Sequence, residues 1–182
     1  MKEGSPLRGV TAIAVGVALG YLAFTFAIAL LRVSGSSMEP ALHAGALVLV
    51  LRPGLDGLLD RSTGPRAGDV VVVTVPGSTE RVVKRVVATA GQTVAMQGGL
   101  VLVDGQPAGA GVVPAAFAGH GSFPEELVPP GHVFVLGDNR MPLASRDSRD
   151  FGAVPIVSVR GRVVLPRAGS RSQPLPTGQG YQ

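Results

Sequence analysis

Hydrophobic and polar positions divide the chain into two unequal parts. From Gly9 to Leu31 the run GVTAIAVGVALGYLAFTFAIALL carries no charge over 23 residues. As a helix at ~1.5 Å per residue it would span roughly 34 Å, about the thickness of a bilayer core. Beyond it the pattern changes to short valine-rich runs, ALVLV, DVVVVTV, ERVVKRVV, LVLVDG and HVFVLGDN, cut by Gly, Pro and Asp. No second helical period of convincing length follows, so the body is expected to be mostly β. RPGLDG (Arg52 to Gly57), STGPRAGD (Ser62 to Asp69) and DGQPAGAG (Asp104 to Gly111) read as turns between strands. The stretch from Ala108 to Glu126 is looser and reads as an excursion. From Ala168 onward, AGSRSQPLPTGQGYQ lacks a packable apolar set and is expected to be a disordered tail.

Length and charge sharpen this division. With 182 residues and a mostly apolar first sixth, the chain has room for one folded domain of about 150 residues. The expected organisation is a short cytoplasmic N-terminus (1–8), a transmembrane helix (9–31), an extracytoplasmic β-rich domain (32–167) and the tail (168–182). A cleaved secretory signal is the rival for the first segment, but the apolar core of such signals is usually only about 7–15 residues. Lys2 and Arg8 precede the run and only Arg32 and Arg52 follow closely, a bias toward a cytoplasmic N-terminus. Cysteine is absent, which excludes disulfides, thiolate nucleophiles and cysteine-ligated metals. The net charge is +4, but the arginines are scattered and aromatics are few, which disfavours nucleic-acid binding and fits a basic surface near anionic lipid.

The cations themselves carry a signal. Fourteen are arginines and two are lysines, Lys2 at the terminus and Lys84 within RVVKRVV, so the expected folded domain holds a single lysine. In a strand, Lys84 shares a face with Val82 and Val86, while Arg85 projects to the other face with Val83 and Val87. Burial disfavours the ammonium form, so a buried lysine serves as a neutral base near pH 7, which arginine cannot do. The bland alternative is a lysine whose stem lies along the strand with its amine in water.

A nucleophile would decide between these readings, because a neutral lysine beside a serine hydroxyl is a known activation scheme. VSGSSMEPAL, Val33 to Leu42, leaves the apolar run and at once presents three serines on a short turn stiffened by Pro40. The competing triads need histidine. His43 and His132 abut glycine-containing turns and His120 lies in the loose FAGHGSF, so each reads more readily as a turn or surface residue than as a general base. No HExxH or paired-histidine spacing exists, and neither a metal nor a cofactor is expected.

At this point the residues resemble the type I signal peptidases, membrane-anchored serine proteases with a serine and lysine dyad. SGSSMEPAL is similar to the family's nucleophile segment, in which serine precedes methionine, a variable residue, proline and usually threonine and leucine. AGDVVVV (Ala67 to Val73) and RVVKRVVATAG (Arg81 to Gly91) resemble the next two blocks, and VPPGHVFVLGDNR followed by SRDSRDFG (Ser145 to Gly152) resembles the last. The resemblance implies a fold of coiled antiparallel β-sheets with an apolar surface toward the membrane. It places the nucleophile at Ser37 and the general base at Lys84, with the Ser37 backbone N–H as oxyanion donor. Met38 and Pro40 would fix the turn, and Ser145 would orient the lysine amine. Asp147 and Arg149 would form a supporting pair, and Asp138 would partner Arg85. Ser34 and Ser36 read as turn hydroxyls. Three departures stand out: Ala41 where threonine is common, ATAGQ (Ala88 to Gln92) where the family has a glycine- and proline-containing segment, and two extra residues between Arg140 and Ser145.

The function implied is removal of signal peptides from exported preproteins, with cleavage after a small residue outside the cytoplasmic membrane. The expected partners are signal-peptide-bearing preproteins and membrane lipid; oligomeric state is left open. Two alternatives stand beside it, a maturation peptidase with few clients and a non-catalytic anchored module that binds peptides. Self-cleaving repressors share such a dyad but need a DNA-binding domain, and the apolar run occupies its place.

Overall fold

The computed structural model describes residues 6–53, 64–109, 121–141 and 143–164. The chain opens with helix α1 (Pro6–Ala27) and then turns to strands: β1 (Ile28–Arg32), β2 (Leu47–Leu51), β3 (Val70–Thr74), β4 (Arg81–Thr89), β5 (Thr93–Gln97), β6 (Leu100–Val103), β7 (Gln106–Pro107), β8 (Phe123–Leu127) and β9 (His132–Leu136). A short helix α2 (Ser148–Phe151), β10 (Val154–Pro155), a 3₁₀ turn (Ile156–Ser158) and β11 (Val159–Val164) complete it. All strand pairs are antiparallel, in a seven-stranded sheet ordered β1-β2-β11-β3-β4-β9-β10 and a four-stranded sheet ordered β7-β6-β5-β8. The mostly β expectation holds.

The apolar N-terminal run is not one helix. Ile28 to Leu31 leave α1 and enter β1, pairing with Leu51 to Val48 of β2. The edge of the large sheet gives these four residues ladder hydrogen bonds and apolar neighbours: Ala29 and Leu31 pack against the core beneath. Among the described residues no helix is long and apolar enough to cross a membrane. The transmembrane helix expected over 9–31 is therefore corrected at its C-terminal end and is not established elsewhere.

Strand β3 shows why the valine run is unbroken rather than alternating. Val70 and Val72 face a core cluster with Val33, Met38, Leu42, Val48, Val50 and Val163. Val71 and Val73 face the opposite cluster, with Val86, Val133, Val135, Val154 and Val159. Both faces of this central strand are covered, so both need apolar side chains. Its neighbour β4 carries a bulge between Val86 and Ala88 against β9. The extra residue turns Val87 and Ala88 into a third cluster with Val94, Met96, Val101, Val128, Phe134 and Leu136 beneath the small sheet.

The small sheet is closed by two tight turns. Gly98 and Gly99 join β5 to β6, and Asp104 and Gly105 join β6 to β7, each pair with positive φ at both residues. That is the twist a two-residue hairpin needs. Beyond β1, strands β5, β7, β8, β10 and β11 lie outside the valine-rich runs of the sequence, and β7 occupies part of the turn expected over Asp104 to Gly111. All of β8 but Leu127 falls within the expected loose excursion, of which 110–120 lie outside the described residues, as do most of the first expected turn and the expected tail.

Candidate active site

The turn after β1 is built by its own backbone and by the core. Val33 and Ala46 close the loop, with the Val33 N–H donating to the Ala46 carbonyl (2.9 Å) and Gly45 N–H to Val33 (2.8 Å). Met38 and Leu42 are buried in the first cluster, and the Leu42 N–H donates to the Met38 carbonyl (2.9 Å). With Met38 fully buried, its neighbour Ser37 is left half-exposed at the surface of the turn, and Pro40 is exposed. From the other side of the sequence Asn139 clamps the same turn. Its N–H donates to the Ser37 carbonyl (3.0 Å) and its side-chain amide to the Ser36 carbonyl (3.2 Å).

Lys84 reaches Ser37 from the central sheet. On β4 it stands opposite Val71 of β3, on the face that carries Val73, Val82 and Val86, so its stem runs through apolar neighbours and only 2% of the residue is exposed. Its Nζ donates to Ser37 Oγ at 2.9 Å. Burial pushes the Lys84 amine below its ordinary range, opposed by the charges of Asp147, Glu80 and Asp138 and aided by Arg149. The alternative of an amine in water does not fit this position.

The loop after β9 brings the remaining residues. Asp147 is fully buried: Oδ1 accepts from Arg149 Nε (2.8 Å), and Oδ2 accepts from Arg149 Nη2 (2.9 Å), Gly137 N–H (2.9 Å) and Ser145 Oγ (2.8 Å). Although desolvation raises a buried carboxyl, these donors outweigh it and hold Asp147 below the usual carboxylate range. The same contacts raise the Arg149 guanidinium. Asp147 also caps α2, in a reciprocal box with Asp150. Arg85, on the opposite face of β4 from Lys84, forms a two-pronged bond to Asp138 (2.8 and 2.7 Å) and donates to the Gly68 carbonyl (2.8 Å).

Ser37, Lys84, Ser145, Asp147, Arg149, Arg85, Asp138 and Met38 thus lie in one connected neighbourhood. Ser145 does not hydrogen-bond Lys84; its hydroxyl is turned to Asp147, whose charge acts on the lysine. His43 is exposed and 3.7 Å from Glu39, and His132 bonds the Pro130 carbonyl (2.9 Å), so neither faces Ser37. His120 lies outside the described residues.

Sequence reasoning passed over Gly137 and Arg140. A β-carbon on Gly137 would collide with Ser145 and stand 2.6 Å from the Ser37 carbonyl, so glycine alone lets the two segments meet. A glycine between an apolar strand and a polar loop was the available signal. Arg140 is buried, its Nε donating to the Gly137 carbonyl while both terminal nitrogens lack partners among the described residues. Desolvation lowers its pKa to about 10, with Asp138 and Asp147 opposing the fall. No pattern in the sequence marks a buried guanidinium.

A cleft of about 440 Å³ opens on Ser37 and Lys84, floored by residues 31–37 and 80–84 and rimmed by Ala144 and Arg146. A serine hydroxyl against a buried amine beside such a cleft is suited to acyl transfer, because the neutral amine can take the hydroxyl proton as oxygen attacks a carbonyl. The chain resembles known proteins over most of its length. The model of one family, the signal peptidases of peptidase family S26, matches residues 7–167. A signal peptidase I from Leptolyngbya laminosa is 31% identical over 175 residues, covering 90% of this chain and 81% of that protein. One from Bacillus caldolyticus is 33% identical over 143 residues, covering 72% and 74%. A solved signal peptidase I from Enterococcus faecalis is 29% identical, covers 55% of this chain and 97% of that one, and superposes with a TM-score of 0.46. The chain belongs to the S26 signal peptidase family and is a serine endopeptidase of the signal peptidase I kind.

Proposed function

We propose that Ser37 and Lys84 are the nucleophile and general base with which this signal peptidase cuts preproteins. The observation that carries the assignment is the 2.9 Å bond from the buried Lys84 Nζ to Ser37 Oγ. In the reaction Ser37 Oγ attacks the scissile carbonyl as its proton passes to Lys84. The lysine then gives that proton to the leaving amine, and water hydrolyses the ester by the same route. The Ser37 backbone N–H, which engages no acceptor among the described residues, is available to the oxyanion. Arg149, by neutralising Asp147, and Arg85, by neutralising Asp138, limit the negative charge felt by the amine. Ser145 and Gly137 fix Asp147, and Met38 with Pro40 sets the turn.

The substrates in this reading are signal-peptide-bearing preproteins cut after small residues, and the domain works at the outer face of the cytoplasmic membrane. The uncharged run from Gly9 to Leu31 supports membrane attachment, as does the exposure of the described apolar side chains Val10, Ile13, Val15 and Val17 on α1, which belong to no core cluster among the described residues. The test is to incubate detergent-solubilised wild-type and Ser37→Ala protein with a preprotein and sequence the product N-terminus. Cleavage after alanine by the wild type alone is expected; equal cleavage by both would overturn the assignment.

A further inference from the structure

Three carboxylates act on the Lys84 amine, and each is matched to an arginine of its own. Asp147, ahead of α2, is clamped by Arg149 at 2.8 Å, and Asp138, after β9, by Arg85 at 2.7 Å; both carboxylates are buried. The third is Glu80, which immediately precedes β4, and its partner is Arg146, between Ser145 and Asp147. Arg146 Nη1 stands 3.1 Å from Glu80 Oε2 across 66 positions of sequence, with side chains 60% and 50% exposed. Both residues line the cleft that opens on Ser37. The other charges on that rim, Arg32 and Arg81, are exposed to solvent, and buried Arg140 lies within electrostatic reach of Asp138 and Asp147.

We propose that Arg146 is a positioning residue of the reaction: by holding Glu80 in an ion pair at the mouth of the cleft, it withholds a negative charge from Lys84. The inference rests on Lys84 being the base. A free Glu80 carboxylate favours the ammonium form of Lys84, which cannot accept the serine proton. Paired to a guanidinium, that carboxylate has its pull on the amine partly offset. In the first two pairs the carboxylate is buried, whereas in this one both partners are open to solvent and to the substrate chain. It is the pairing that ionic strength and bound peptide can alter.

The two partners of the pair are therefore expected to act in opposite senses, which a simple strap between hairpin and loop would not produce. The experiment measures kcat/KM against pH at low ionic strength, with the detergent-solubilised full chain and a peptide bearing alanine one and three residues before the cut. On the rising limb at fixed pH, Glu80→Gln should speed cleavage and Arg146→Gln should slow it. Each change should be about 1.4- to 5-fold, the range for exposed pairs. Arg146→Lys should restore the wild-type limb, and Glu80→Gln with Arg146→Gln should follow Glu80→Gln alone. Slowing by both single variants at every pH, or no movement of the limb in either, would overturn the proposal. Undiminished cleavage by Ser37→Ala would instead overturn the assignment of the dyad.

Discussion

Lys84 and Ser37, 47 positions apart, meet through a 2.9 Å hydrogen bond at the edge of a cleft, with the lysine on a buried strand face and the serine on a half-exposed turn. The asymmetry suits their proposed roles. The base is kept from water, which favours its neutral form, while the nucleophile faces the space where a peptide would lie.

Lys84→Arg should abolish turnover. A guanidinium, with a pKa above about 12, keeps its proton and cannot take that of Ser37. Loss of a general base costs about 10²–10⁴-fold in rate, and members of a catalytic unit often cost more. Cleavage of a preprotein by a folded variant, followed against wild type, checks this. Retention of activity within about tenfold would make the lysine structural. In the native enzyme the rate should rise with pH through the lowered lysine pKa.

The same burial should make Lys84 a stability defect. Because its folded pKa lies below the unfolded value of 10.5, the unfolded chain binds more protons between those two values, and stability rises with pH across that window. Below the folded pKa both states carry the charge and the penalty is complete. Lys84→Met should therefore be inactive yet unfold at a higher temperature than wild type. That advantage should shrink as pH climbs toward 10.5. An advantage independent of pH would contradict the account.

Asp138→Asn should be strongly destabilising. It leaves the Arg85 guanidinium, on a residue 7% exposed, without its counter-charge. Breaking a buried pair on one side costs about 3–5 kcal/mol, a fall of roughly 10 °C or more in Tm for a domain of this size. Replacing both partners, Arg85→Met with Asp138→Leu, should recover most of the loss in thermal denaturation. A single variant as stable as wild type would show that the pair contributes little.

Gly137→Ala should damage activity more than its size suggests. The added methyl must displace Ser145 or the turn that presents Ser37, since its carbon would lie 2.6 Å from the Ser37 carbonyl. Overpacking of this kind costs typically about 1–3 kcal/mol. A small misplacement of reacting groups can cost about 10²-fold in rate. Single-turnover cleavage and thermal melts on one preparation would separate the two effects. A variant with native kcat would mean that the two segments need not meet so closely.

Much was legible in the sequence because local rules sufficed. Valine-rich runs marked the central strands, and DGQPAGAG marked a turn, although its Gln106 and Pro107 pair as a strand. A single lysine among scattered arginines pointed to Lys84, and motif order pointed to Ser37. Three features were decided only by tertiary structure. Ile28 to Leu31 are as apolar as the helix before them, and only the free edge of β2 makes them a strand. The direction of the Ser145 hydroxyl was not fixed by its resemblance to a lysine-orienting residue, because Asp147, brought against Gly137 by the fold, is the stronger acceptor. The matching of Glu80 with Arg146 spans 66 positions and has no sequence signature. Apolar periodicity reports how much of a segment is buried; which charge lies beside which depends on loop closure and sheet register, and those exist only once the chain has folded.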